Sequence, residues 1–139
     1  MAVDAGAAAD DFRVPLALFT RERATGYGMY VPRETSRFKQ GESLLFYMEP
    51  VGYGYKKDGG LFRFGATIDL KLKQGGKVLY SKDGFLNADF SSHHRNKEID
   101  FTGSFEMSGA PPGEYALELL LQDLYGEGTA TVTLPFTLE

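Results

Sequence analysis

Hydrophobic and polar residues alternate most clearly in the second half of the chain. Over residues 63–73 one set of alternate positions is apolar, and the other set is charged, small or polar. A period of two with a single apolar face predicts a half-buried antiparallel strand. The predicted core-facing side chains of this strand are Phe64, Ala66, Ile68, Leu70 and Leu72.

A glycine pair follows this strand directly. Gly75 and Gly76 predict a tight hairpin turn, because such a turn needs positive φ at its central positions. A return strand is expected over residues 77–81. The Lys82-Asp83-Gly84 run then predicts a second turn.

Three later segments repeat the alternation, at residues 98–107, 115–121 and 129–138. In the first of them Gly103 takes a core-facing position, which indicates a bulge or the close packing of a ring. In the last, Pro135 has no N–H to donate, so this strand is expected at a sheet edge.

The first half of the chain is less regular. Strands are predicted at residues 14–20, 29–31 and 43–49, and the glycine-rich residues 50–60 are expected to be irregular. No segment shows an apolar period of 3.6 with a cap and a stop, so no long helix is expected.

Seven or eight strands at this spacing predict an all-β protein built as a two-layer β-sandwich, with a small closed β-barrel as the alternative. A length of 139 residues suits one domain. We therefore expect a single domain over residues 12–139. The small, acidic residues 1–11 are expected to form a disordered leader.

Two blocks of sequence resemble a known family. Residues 111–138 contain Pro-Pro-Gly-Glu-Tyr and end on Val-Thr-Leu-Pro-Phe, and residues 38–50 contain Phe-Lys-Gln-Gly-Glu before a strand. Both are similar to parts of bacterial immunoglobulin-like domains of exported proteins. The resemblance covers less than half of the chain. It implies an immunoglobulin-like antiparallel β-sandwich and, because that family has no assigned activity, no catalytic residues.

Tyr115 follows the Pro-Pro-Gly loop and precedes the last two strands. In immunoglobulin-like sandwiches a tyrosine at this place bonds back to loop backbone. We therefore predict that Tyr115 forms a tyrosine corner.

Composition limits which cellular compartment and which kinds of partner are expected. The chain has no cysteine, which excludes disulfides and Cys-ligated zinc or iron–sulfur centres. Its net charge of −4 gives no reason to expect a nucleic-acid partner. No apolar run approaches the roughly 20 residues that cross a bilayer, so no membrane insertion is expected. The cysteine-free all-β character and the Ala-rich leader favour a periplasmic or secreted location, with the cytoplasm as the alternative.

Four tyrosines stand beside glycines in predicted loops: Tyr27, Tyr30, Tyr53 and Tyr55. Tyrosine offers a rigid face and a polar tip, which suits the recognition of a protein or a glycan. We therefore predict them as ligand-binding residues, with Tyr53 and Tyr55 partly exposed. The alternative is that these rings fold back and close the ends of the sandwich.

His93 and His94 form the only histidine pair, and Asp89 lies nearby. A metal site needs three or four converging ligands, and nothing around Ser91 or Ser92 resembles a nucleophile elbow. These residues give a weak alternative, a metal-dependent or hydrolytic site. The leading hypothesis is a non-enzymatic interaction or accessory domain without a cofactor, which binds a protein or glycan through loops or a sheet edge.

Charge is unevenly distributed along the chain. Residues 13–39 carry six basic and two acidic side chains, whereas residues 106–139 carry six acidic and no basic ones. These segments either neutralise each other within the fold or steer association with a partner or a second copy in a homo-oligomer.

Overall fold

A computed structural model describes residues 11–139 of the protein. The described part is all-β and contains no helix, so none crosses a membrane. Its strands are β1 (Arg13–Phe19), β2 (Arg37–Phe38), β3 (Leu44–Val51), β4 (Lys56–Asp58), β5 (Leu61–Gln74), β6 (Lys77–Ser92), β7 (Phe101–Phe105), β8 (Gly113–Asp123) and β9 (Thr129–Leu138). The leader expected over residues 1–11 lies, apart from Asp11, outside the described residues.

The strands form two sheets that pack as a sandwich, which confirms the predicted fold class. The smaller sheet has the order β1-β3-β7 and is antiparallel throughout. The larger sheet has six strands and is curled. Its strands β2, β9, β8 and β5 follow one another in that order, and both β4 and β6 pair with β5. The short strands β2 and β4 bring the number of strands in residues 11–139 to nine, against the seven or eight expected.

β5 pairs with three other strands of the large sheet. It pairs with β6 over residues 62–74 on one side. β8 and β4 share its other side, at residues 66–73 and 61–63. β6 therefore ends the large sheet, and no described strand pairs with its outer side.

The predicted core faces of the regular strands are confirmed. Alternate residues of β5, β8 and β9 are buried, as the period-two pattern requires. Ring contacts join the two sheets, with Phe19 against Phe136 at a centroid distance of 6.0 Å and Phe46 against Phe85 at 6.4 Å.

Two local predictions are also confirmed. A Cβ at Gly103 would collide with the ring of Phe46, so this glycine allows the close packing of a ring. The hydroxyl of Tyr115 donates to the carbonyl oxygen of Pro111 at 2.5 Å, which is the tyrosine corner.

The predicted turn at Lys82-Asp83-Gly84 is wrong. β6 continues to Ser92, and its register against β5 shifts between the Ile68–Leu86 and Leu70–Lys82 pairs. The extra residues form a bulge, in which Gly84 has a φ of 64° and its N–H donates to Asp69 Oδ1 at 2.8 Å. The bulge accommodates the turn-forming glycine, and pairing with β5 continues beyond it.

Two expectations for the first half also need correction. Residues 29–31 do not form a strand; the segment is held by isolated bridges from Thr20 to Pro32 and from Gly26 to Met29. Residues 50–60 are not irregular throughout, because β3 extends to Val51 and β4 pairs with the start of β5.

The edge position predicted from Pro135 holds over most of β9. The outer side of this strand pairs only at its end, where Thr137 and Leu138 lie parallel to Arg37 and Phe38. Pro135 precedes that short ladder and needs no partner on its outer side.

Candidate functional site

Tyr53 and Tyr55 lie between β3 and β4 and close one end of the sandwich. Both hydroxyls donate to the carbonyl oxygen of Asn96 at 2.7 Å. Their rings lie 5.8 and 5.5 Å from the ring of Phe64. Tyr53 is only 6% exposed, so its expected partial exposure is wrong, whereas Tyr55 is half-buried. Burial raises the pKa of both hydroxyls.

Tyr27 and Tyr30 lie on the segment that joins β1 to β2. Tyr30 stacks on Tyr47 of β3 with a centroid distance of 4.5 Å. The N–H of Gly28 donates to the Tyr47 hydroxyl at 2.8 Å, and that hydroxyl donates to Glu49 at 2.6 Å. These contacts tie the segment to the small sheet.

The tip of this segment is more exposed than its base. Tyr27, Met29 and Val31 are 37%, 61% and 37% exposed. Burial raises the pKa of the Tyr27 hydroxyl most, and the carboxylates of Glu49, Glu98 and Asp100 raise it further. Of the four predicted tyrosines, Tyr27 therefore offers the most accessible ring.

The three residues of the metal or hydrolytic alternative are not brought together. Both carboxylate oxygens of Asp89 are engaged, by Arg63 at 2.6 Å and by the Tyr125 hydroxyl at 2.8 Å. His93 and His94 follow the end of β6 and are exposed. Over residues 11–139 no three His, Cys, Asp or Glu side chains are grouped so that they could hold a metal ion.

Ser92 does not form the side-chain pair with a histidine that hydrolytic chemistry would need. Its hydroxyl accepts a hydrogen bond from the backbone N–H of His94 at 3.2 Å. This short-range bond shapes the end of the strand.

The feature that sequence analysis missed is the free outer side of β6. Of the eight exposed large hydrophobic residues in the described part, four lie on this strand. Three are consecutive: Val78, Leu79 and Tyr80 are 45%, 45% and 46% exposed. We call residues 77–82 the β6 edge.

β6 differs from β9 and β1, whose outer sides are also largely unpaired among the described residues, by its length and by its lack of proline. β6 has 16 residues and no proline, although its register against β5 shifts at Leu79. β9 carries Pro135, and β1 carries Pro15 within a register shift. Proline removes a backbone donor and so blocks strand addition. Val78-Leu79-Tyr80, an apolar run without alternation, was the only sequence signal of this edge.

The β6 edge carries positive charge. Lys77 and Lys82 stand at its two ends, and Lys71 lies beside it on β5. None of the three forms an ion pair with any residue from Asp11 onward. Lys73, by contrast, is held by Glu118 at 2.8 Å.

The basic segment (residues 13–39) and the acidic segment (residues 106–139) form one ion pair with each other. Arg37 and Glu139 pair at 2.9 Å across β2 and the end of β9. Within the basic segment, Arg33 instead pairs with the nearby Glu42 at 2.9 Å. Most of the opposite charges of the two segments therefore do not pair with each other.

The chain matches no model of a known protein family and no curated protein sequence.

Proposed function

We propose that the chain is a non-enzymatic interaction domain that binds an extended segment of a partner protein along the β6 edge. The observation that carries this proposal is the combination of an unpaired outer side with the exposed Val78, Leu79 and Tyr80. An added strand would pair with the free backbone groups, and its side chains would cover these three residues. Backbone pairing gives affinity, and the side chains give selectivity.

A soluble protein rarely leaves such an edge without protection. The bulge at Gly84 interrupts the strand, so the accessible ladder lies in the first part of β6. Lys77 and Lys82 flank that part of the strand. These features oppose indiscriminate pairing and leave a short, defined docking segment.

A second candidate surface is the tip of the segment between β1 and β2. Its support is the exposure of Tyr27, Met29 and Val31 beside the carboxylates of Glu49 and Asp100. This surface would bind a protein or glycan without strand addition.

Selection of peptides tests the proposal directly. The full chain is immobilised and offered a phage-displayed library of unstructured peptides, and a selected peptide is titrated into ¹⁵N-labelled protein. We expect shifted amides at residues 77–82 and slower hydrogen exchange there. Failure to select any peptide, or shifts confined to residues 26–31, would overturn binding at the β6 edge.

Matched substitutions distinguish peptide binding at the β6 edge from nonspecific binding to exposed apolar residues. Val78→Ser with Leu79→Ser should weaken the selected peptide about tenfold, because burial of each side chain contributes to binding. Leu124→Ser is the control, since Leu124 is 39% exposed on the turn after β8. Equal binding by both variants would contradict the proposal.

For location, we propose that the domain works in the bacterial periplasm or as a secreted protein. The support is compositional: a cysteine-free, all-β chain with an Ala-rich, acidic start. Fractionation of native cells with an antibody against the chain tests it, and recovery only with cytosolic markers would contradict it.

A further inference from the structure

The register of β6 against β5 shows which side chains share a face at the β6 edge. Lys77, Tyr80 and Lys82 pair with Gln74, Leu72 and Leu70. Residues directly opposite each other on neighbouring strands point to the same face. Leu70 and Leu72 are buried in the core, so Lys77, Tyr80 and Lys82 lie along the core-facing margin of the sheet.

At this margin the core is incompletely covered. The ring of Tyr80 lies 5.8 Å from that of Phe105 on β7, and Phe85 in the bulge lies 6.5 Å from Phe105. Phe85 and Phe105 are half-buried, and Tyr80 is 46% exposed. An apolar side chain on an added strand would therefore cover Tyr80 and continue the aromatic packing.

The two lysines on either side of Tyr80 form no ion pair with any described residue. Lys71 of β5 lies on the opposite face of the sheet, across from Glu118 of β8, and Asp83 in the bulge is the one carboxylate in sequence beside the two lysines. Their positive field favours an acidic strand and disfavours a basic one.

The same lysines disfavour a second copy of this chain as the occupant. Full antiparallel overlap of two β6 edges would place each Lys77 opposite Lys82 of the other copy, and parallel overlap would place Lys77 opposite Lys77. Like charges directly opposite each other destabilise a strand pair, and edge lysines are a known defence against self-pairing.

We infer that the occupant of the β6 edge is an acidic extended segment of another protein, with carboxylates beside Lys77 and Lys82 and an apolar side chain over Tyr80. This inference rests on the proposed strand addition and specifies the chemistry of the partner. The alternation acid–apolar–acid on one face of the added strand matches lysine–tyrosine–lysine on the edge.

Two blocked peptides test the inference with the full chain. One has the sequence Thr-Glu-Thr-Phe-Thr-Glu-Thr, and the other carries lysine in place of each glutamate. We expect the glutamate peptide to bind about tenfold more tightly at low salt, since two weak ion pairs are exchanged for two repulsions. Its amide shifts should map to residues 77–82, and the preference should shrink as salt rises.

Charge reversal supplies the matched variants. Lys77→Glu with Lys82→Glu should invert the peptide preference. The control is Lys56→Glu with Lys57→Glu, which makes the same charge change at exposed residues of β4, across β5 from β6. The control variant should keep the preference for the glutamate peptide.

Each outcome separates the inference from the proposed function. Equal binding of both peptides at residues 77–82 overturns the acidic partner and leaves strand addition standing. Binding of neither peptide overturns the inference, while the library selection described above decides the function separately. A dimer of the unmodified chain in analytical ultracentrifugation, with its interface mapped to residues 77–82, overturns the acidic partner in favour of a second copy.

Discussion

Single side chains at buried positions decide how the two sheets close. Tyr115 is 4% exposed, and its hydroxyl reaches the Pro111 carbonyl, so the ring is buried without an unpaired polar group. Gly103 has the opposite role, because the absence of a side chain leaves room for the fully buried ring of Phe46. Both features were visible in the sequence through their unusual place in an alternating pattern.

At this scale, Tyr115→Phe should lower the free energy of unfolding by about 1–3 kcal/mol, the cost of leaving a partly buried partner unpaired. Urea unfolding of the variant and the parent protein measures the difference. Tyr125→Phe is the control, because it deletes a hydroxyl whose partner, Asp89, is exposed. We expect a much smaller loss there, because both groups of that hydrogen bond reach solvent. No difference between the two variants would contradict a stabilising tyrosine corner.

At the scale of elements, the short strand β2 depends on one arginine. Arg33 pairs with Glu42 at 2.9 Å and donates to the Arg37 carbonyl at 2.7 Å, and its guanidinium lies 3.9 Å from the centre of the Phe38 ring. A two-residue strand supplies too few ladder bonds to be stable alone. The fork of the guanidinium joins the chain on both sides of β2.

Arg33→Lys should therefore destabilise the protein by about 1 kcal/mol, because an ammonium group cannot make the forked bonds and stack on Phe38 together. Arg37→Lys is the matched control. The Arg37 side chain is 60% exposed, against 19% for Arg33, so its ion pair with Glu139 should contribute about 0.5 kcal/mol or less. Thermal and urea unfolding of both variants measure this, and equal losses would contradict the role assigned to Arg33.

The strands also show which elements could be predicted from sequence. β5, β8 and β9 have one buried face, so their alternation appears in the sequence. β6 is exposed at both faces over its first residues, and alternation gave no guide to its length. An Asp-Gly pair indicates a turn by local preference, and only pairing with β5 shows that it forms a bulge.

In the whole molecule, loops from distant parts of the sequence meet at one end of the sandwich. The Asn96 carbonyl accepts hydrogen bonds from Tyr53 and Tyr55. Burial raises the pKa of both Tyr27 and Tyr53, and the charge of Glu98 raises it further. The predicted tyrosine sites therefore share one neighbourhood. Most of their rings complete the fold, and Tyr27 is the main exception.

This arrangement predicts a loss of stability at alkaline pH. Burial raises the pKa of Tyr47 and Tyr53 above the ordinary value of 10.0, and these residues are 0% and 6% exposed. The unfolded chain ionises first, so their contribution is fully present below pH 10 and is lost as the pH rises beyond it. By about pH 11 the free energy of unfolding should fall by roughly 1 kcal/mol for each tyrosine.

Urea unfolding at a series of pH values measures this loss, and tyrosinate absorbance reports ionisation in the folded and unfolded states. Tyr47→Phe and Tyr53→Phe should each make the alkaline decline less steep. An unchanged decline in both variants, or tyrosinate formation at the same pH in both states, would contradict it.

The sequence alone determined the all-β class, the sandwich, the core faces of the regular strands and the tyrosine corner, because each depends on local periodicity or on one residue beside a loop. Tertiary structure alone decided that Tyr53 is buried, that Asp89 is held by Arg63 and Tyr125, and that β6 ends its sheet. These facts depend on which distant segments become neighbours. The candidate binding edge belongs to this second group, since a strand edge is free only when no other strand of the fold reaches it.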